Sequence, residues 1–399
     1  MSRLDGPRVL VVNAALADGT AAELVHDVSL LVNNGTVEGL WLNGEGPEPD
    51  GVNAAVIDGS GSTIVPGMVD SHSHLSMPGG AHWVDRGFDP TDELLEAGED
   101  NGELMVRAGI RWARDVGAVR RQVPGGRNRA LSLELRDRWA GHHDRPYVRA
   151  AGTWITRLGS LPPGMAIEVE HAGDLGQAVT TQLDDGADLV KLYLDGPDAD
   201  IAPFSFDEVA SAVATAHARG AKVAAHSSTL AGAQVGADAG VDSLEHGFTL
   251  DSDSAAAMAR NGVTLVSTLG VLHSWQTFAA STTMDRFAAP EAVAGVAQRR
   301  EQAEHSVRLA HQAGVAIAAG SDFGGGSLRA NQLAWEVQAL ISAGVEPHVA
   351  LAAATWRGGD LLGDDNAGRI RVGGPAHFSL IHGDPLSDPT ALWRIWLTR

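Results

Sequence analysis

Val65-Pro-Gly-Met-Val-Asp-Ser-His-Ser-His-Leu75 decides the fold, because it is an apolar strand that ends in two imidazoles. Within Val69-Asp70-Ser71-His72-Ser73-His74 the side-chain period of two turns both histidines to one face. Alone the pair says little, since sixteen histidines in 399 residues produce ~0.6 such pairs by chance. Its meaning comes from the rest of the chain. Eight short apolar strands alternate with helical patterns: Ile64–Asp70, Gly109–Asp115, Tyr147–Ala151, Leu189–Leu194, Lys222–Ala225, Ser243–Glu245, Thr264–Thr268 and Val315–Ala319. The fourth, fifth, sixth and eighth lead to Lys191, His226, His246 and Asp322. A doubly wound open sheet shares the alternation. Ligand-type side chains delivered by separate strands to one rim are what a (β/α)8, or TIM, barrel provides at the C-terminal ends of its strands. The expected class is therefore α/β, with a TIM barrel.

The helical gaps carry their own start and stop signals. Ser205-Phe-Asp-Glu208 is a capping box followed by Val209, Val213 and Ala216 on one face and closed by Gly220. Asp253–Arg260 ends at Asn261-Gly262, and Pro290–Ala313 ends at Gly314. The acidic stretch from Asp85 to Asp100 reads as a solvated lid or helix. Both chain ends are instead rich in strands and turns: Arg8–Asn13, Val28–Asn33, Val37–Leu42 and Ala54–Asp58, then Ala376–Ile381. Chain ends often lie together, so residues 1–63 and 366–399 are expected to build a small β-sandwich beside a barrel over 64–365.

Composition removes whole classes of function. Against 50 acidic residues stand 29 basic ones, a formal charge of −21, and no basic stripe offers itself to a nucleic acid. With no Cys, thiolate zinc sites, iron–sulfur clusters and cysteine nucleophiles are excluded, and any metal must be held by His and carboxylate-type ligands. No uncharged apolar run approaches the ~18 residues of a membrane helix. The N-terminus, with Arg3, Asp5 and Arg8 before the short run Val9–Val12, does not read as a signal peptide, and a cytoplasmic protein is expected.

Only two of the 29 basic residues are lysines, Lys191 and Lys222. A lysine inside Leu189-Val-Lys-Leu-Tyr193 therefore suggests a task that arginine cannot perform. A buried amine can lose its proton where a guanidinium cannot. Such an amine can add carbon dioxide to form a carbamate whose two oxygens bridge two metal ions, and His226 and His246 suit the second ion. A lysine that merely snorkels to water at the barrel mouth is the plainer alternative.

With these residues in place, Val65–Leu75, Val190-Lys-Leu192, Val223-Ala-Ala-His226, Gly240-Val-Asp-Ser-Leu-Glu-His-Gly247, Ala319-Gly-Ser-Asp322 and Asp384-Pro-Leu386 resemble the amidohydrolase superfamily. Arg111-Trp-Ala-Arg-Asp-Val-Gly117 is similar to the imidazolonepropionase-related, metal-dependent Xaa-Pro dipeptidase-like branch. The resemblance covers nearly the whole chain. It implies that His72, His74 and Asp322 hold one metal, and that N6-carboxylated Lys191 bridges it to a second held by His226 and His246. Two departures touch the mouth: His226-Ser-Ser-Thr229 replaces His-x-His, and Arg157-Leu-Gly-Ser-Leu-Pro-Pro-Gly164 replaces a loop that often contains Gly-Gly-His.

The implied chemistry is hydrolysis of an amide C–N bond in a small molecule such as a dipeptide or N-acyl amino acid. Two cations flanking one water would deliver hydroxide at neutral pH, with Asp322 as the proton shuttle. Zinc is the first choice, with manganese, cobalt and iron open. The alternative is a one-metal hydrolase of a cyclic amide, lactam or imidazolone, or a deaminase. A lactone or ester hydrolase and a non-catalytic barrel rank lower, the last because all six ligand positions are filled. Candidate substrate contacts are Tyr193 to an oxyanion, His273 after the seventh strand, and Arg157 and Arg329 to a carboxylate. No Gly-x-Ser-x-Gly elbow or phosphate-cradling loop competes. The partner is a small molecule rather than a nucleic acid or membrane, and barrels of this superfamily are commonly homo-oligomeric.

Overall fold

The computed structural model describes residues 8–171 and 173–399; Arg3 and Asp5, used in reading the N-terminus, lie outside them. Eight parallel strands follow the expected order: β1 (Met68–Ser73), β2 (Ile110–Asp115), β3 (Tyr147–Ala150), β4 (Leu189–Tyr193), β5 (Lys222–Ser227), β6 (Ser243–His246), β7 (Thr264–Ser267) and β8 (Ile317–Ala319). They form two sheets rather than one continuous ladder. In one, β1, β2 and β3 are neighbours; in the other, β4 to β8 run in sequence. The third segment belongs to both, because after β3 the chain turns through Gly152 (φ +77°) and Ile155–Arg157 pairs with β4. At that seam Asp188 N donates to Ala150 O at 2.8 Å. At the other, Asp322 N donates to His72 O at 2.8 Å and His74 N to Phe323 O at 3.1 Å. That second seam places the ends of β1 and β8 side by side, and with them the two histidines and the aspartate.

The strand expected as Ile64–Asp70 divides at Gly67. Its first part, Ser62–Pro66, pairs antiparallel with Phe378–His382, whereas β1 pairs with β2. Side-chain crowding explains the residue at the division, since a Cβ on Gly67 would meet Arg111 Cγ at 2.7 Å and the Trp112 ring at 3.0 Å. The β-rich ends of the chain do come together, as one seven-stranded sheet. Its spine, Arg8–Leu16, lies parallel to Ala55–Asp58 along Val9–Val12 and to Ser62–Pro66 at Ala15 and Leu16. A bulge at Asn13, whose φ of +57° asparagine tolerates well, lets one strand serve both partners. Ile395–Thr398 completes the edge, and Val11, Leu30, Ile64, Phe378 and Leu380 fill the core beneath it.

Helices cover the parallel strands. Phe206–His217 begins with both hydrogen bonds of its capping box, and Ser252–Asn261 with a second box built on Asp251 and Ser254. Pro290–Gln312 forms the long helix expected there. The acidic stretch is the helices Trp83–Arg86 and Thr91–Arg107, the latter burying Leu94, Leu95 and Met105 under its charged face. Among the described residues no helix is long and apolar enough to cross a membrane.

Candidate metal centre

Two charged groups fill the space between the parallel strands. Arg114 on β2 donates from Nε to Ser71 O (2.7 Å), from Nη1 to Ser243 Oγ (2.9 Å) and from Nη2 to Glu245 Oε1 (2.5 Å). Glu245 is wholly buried, and its other oxygen accepts from His72 Nδ1 at 2.7 Å. This contact fixes the histidine's tautomer and leaves Nε2 as the free nitrogen. His74 is fixed in the same sense, Nδ1 donating to Gly117 O at 2.7 Å. Both Nε2 atoms then face Asp322 Oδ1, at 3.4 Å from His72 and 3.3 Å from His74. Imidazoles locked from behind through Nδ1 are typical of metal ligands. Donor atoms of His72, His74 and Asp322 all lie within 4.8 Å of one another.

Lys191, His226 and His246 line the same cavity but stand outside that compact group. Ring centroids of His246 lie 4.7 Å from His72 and 4.5 Å from His226, and His246 Nδ1 is bonded to Thr268 Oγ1 at 2.8 Å. His226 bonds through Nε2 to Asp195 Oδ2 at 3.0 Å, which leaves Nδ1 for a ligand. Lys191 is buried, and its Nζ has no hydrogen-bond partner among the described residues. Burial draws its pKa down to about 8, Glu245 opposing and Arg114 adding. An orphaned, readily neutralised amine amid imidazoles fits the carbamate chemistry expected of it. His72 and His246 are held well below the ordinary histidine range, by burial first and then by Lys191 for His72 and His226 for His246. Neutral imidazole is the form that binds metal. His246 (φ +69°) and Asp322 (φ +50°) are two of the few non-glycine residues in left-handed backbone, a strain that collects at functional sites.

Three carboxylates that carried no role in the sequence reading brace this floor. Asp70 accepts from Ser321 N (3.0 Å) and Ser321 Oγ (2.5 Å), tying β1 to the turn before Asp322; burial still raises its pKa to about 6. Asp115 accepts from Leu75 N and Gly117 N, holding the loop after His74. Asp195 accepts from Ser227 Oγ, Ser228 Oγ and Thr229 Oγ1 as well as from His226. Burial acts to raise its pKa, but the His226 contact and the Ser228 bonds hold it well below the usual carboxylate range. The departure His226-Ser-Ser-Thr229 thus wraps the carboxylate that holds His226. Asp70 and Asp115 stand in the quoted motifs and Asp195 one residue past Leu194, so their position was visible and their partners were not.

A cavity of about 300 Å³ opens above this floor. Tyr193 lines it, stacked on His226 with centroids 4.0 Å apart, and burial first, then the nearby Asp195, raise its pKa. The other expected substrate contacts are engaged elsewhere. Arg157 donates to Pro203 O (2.9 Å) and Glu208 Oε1 (2.7 Å) and covers the Phe204 ring. Arg329 donates to Pro78 O. His273 stands 3.4 Å from Glu304 on the helix Leu269–Phe278. None of the three is among the residues lining the cavity. From the loop that departs from the family pattern Leu161 does line it, as does Met165 directly after that loop.

Comparison with known proteins bears on family and fold. Residues 63–395 match the amidohydrolase family. An uncharacterized protein of Mycobacterium tuberculosis is 32% identical over 315 residues, 77% of each chain. An imidazolonepropionase of Ectopseudomonas mendocina is 26% identical over 397 residues, covering 90% of this chain and 87% of its own. Among solved structures, a Xaa-Pro dipeptidase with methionine bound in its active site superposes with a TM-score of 0.81 at 24% identity over 98% of both chains, a likeness of fold.

Proposed function

The chain belongs to the amidohydrolase family and is a hydrolase acting on carbon–nitrogen bonds, and from that premise we propose that it cleaves an amide bond in a dipeptide or N-acyl amino acid at a binuclear metal centre. The observation that carries this reading is the pair of rear-locked imidazoles, His72 and His74, aimed at one oxygen of Asp322 beside the unpartnered amine of Lys191. His72, His74 and Asp322 would hold one ion, His226 and His246 the other, with Lys191 as its carbamate between them. The frame would be a (β/α)8 barrel that carries the site, beside a β-sandwich drawn from both ends of the chain, with Ser62–Pro66 on the sandwich side of the division at Gly67. Zinc suits the donor set best. Bound there, divalent ions would supply Lewis acidity to the scissile carbonyl and to a water at neutral pH.

The chain's own groups do the rest. Asp322 takes a proton from the attacking water as its oxygen bonds to the carbonyl carbon, then gives it to the leaving nitrogen as the C–N bond breaks. One acid and one amine result, and Asp322 is regenerated. Tyr193, a phenol protonated at neutral pH whose pKa burial raises further, donates to the carbonyl oxygen as charge develops on it. Glu245 and Asp195 hold His72 and His226 against rotation.

A one-metal reading, hydrolysis of a cyclic amide or imidazolone or a deamination, is favoured by one fact: only His72, His74 and Asp322 form a compact donor group among the described residues. Hydrolysis of a panel of N-acyl amino acids, dipeptides, lactams and lactones by metal-reconstituted protein tests the proposal. Turnover of linear amides is expected. Turnover confined to lactones or esters would overturn it, and turnover confined to cyclic amides would put the cyclic-amide class in its place, with metal content per chain deciding between one ion and two.

A further inference from the structure

Arg299 stands at the open side of the cavity. It lies on the helix Pro290–Gln312 and, with Ser228 and Phe248, borders both the cavity above the metal centre and the wider groove into which that cavity opens. Apart from Lys191 on the floor, it is the only lysine or arginine among the described residues that lines the cavity. Most arginines of this acidic chain hold a carboxylate: Arg157 holds Glu208, Arg145 holds Glu99, and Arg300, next along the same helix, holds Glu304. Arg299 is exposed, and its guanidinium makes no ion pair or hydrogen bond among the described residues. Asp200 and Glu301 border the same outer groove without pairing with it. A planar guanidinium left without an acid at a cavity mouth is preset for bidentate contact with a carboxylate that arrives with the substrate.

The walls between Arg299 and the floor are apolar and largely aromatic: Trp83, Trp154, Trp275, Phe248, Met77 and Met165. Trp83 and Trp275 come from different elements and stack with centroids 5.5 Å apart, which makes one broad apolar face. Such a face rewards a large flat group far more than a methyl. We infer that the substrates are N-acyl amino acids with a free carboxylate and a bulky, aromatic-sized acyl group, and that Arg299 is the residue that reads the carboxylate. This assignment rests on the amide hydrolysis proposed above.

Four compounds test it on metal-reconstituted enzyme: N-benzoylglycine, N-acetylglycine and the primary carboxamide of each. Benzoyl should exceed acetyl, and each acid should exceed its carboxamide in kcat/KM by on the order of tenfold, the size of one charge-assisted contact. In Arg299→Met the acid-to-carboxamide ratio should fall toward one through KM, with kcat for the acid little altered. Arg299→Lys should retain part of the ratio, and rising salt should erode it in the wild type. Trp275→Ala should narrow the benzoyl-to-acetyl ratio without moving the acid-to-carboxamide ratio. A wild-type enzyme that treats acid and carboxamide alike, or a ratio unmoved by Arg299→Met, would overturn the role of Arg299 and leave amide hydrolysis standing. A preference for acetyl would overturn the aromatic acyl class. A wild type active on none of the four but active on other linear amides would overturn this substrate class alone, and one inactive on every linear amide would remove the parent reading and this one together.

Discussion

His72 shows how much of a side chain's orientation is set behind it. Its orientation depends on Glu245, which in turn neutralises Arg114 between the strands. Glu245→Gln keeps the shape, weakens the grip on Nδ1 and leaves Arg114 less compensated. Metal affinity should fall by about 10–100-fold, measured by competition with a chelator, with circular dichroism reporting whether the fold persists. Asp322→Asn should retain substrate binding and lose about 10²–10⁴ in kcat; a loss smaller than tenfold would remove the shuttle role. The His72, His74 and Asp322 group, and the cavity that Lys191, His226 and His246 also line, were legible because each residue lies on a parallel strand or just past its end, where one chain segment carries both the pattern and the residue. Glu245 and Asp195 were not, because their importance lies in pairs such as His72–Glu245, 173 residues apart. Arg157 and Arg329 lie outside the cavity lining for the same reason, their partners Glu208 and Pro78 standing 51 and 251 residues away in the chain.

At the level of elements, local signals behaved as local physics requires. The Ser205 box forms both of its bonds, and Ser205→Ala should cost about 1 kcal/mol and lower the melting temperature. What the strand pattern concealed was the division at Gly67, since an apolar run looks the same whether it serves one sheet or two. The helix Leu333–Ser342 is anchored by Glu336, which accepts from Ser267 Oγ at 2.5 Å and Gly270 N at 2.6 Å beside the end of β7. Burial raises its pKa from 4.5 to about 8, against the lowering effect of those bonds. The folded chain therefore holds this proton more tightly than the unfolded one. The stability it contributes is full below pH 4.5 and is lost as the pH rises toward 8. Urea melts across that window should show a decline in the wild type that is shallower in Glu336→Gln.

For the molecule as a whole, two structures share one chain. Phe378, fully buried in the terminal sheet, pairs through its strand with Ser62–Pro66, which runs directly into β1 and the two histidines. Phe378→Ala should cost about 3–5 kcal/mol, and thermal melts with and without metal would show whether the loss also reaches the metal centre. As proposed here, amide hydrolysis depends on two ions held by His72, His74, Lys191, His226, His246 and Asp322. Titration of metal-free protein with zinc in the presence of bicarbonate, following the initial rate of N-acyl amino acid hydrolysis, tests it most directly. The rate should be negligible without metal and reach its plateau at two equivalents per chain; full activity without metal, or a plateau at one equivalent, would contradict the account.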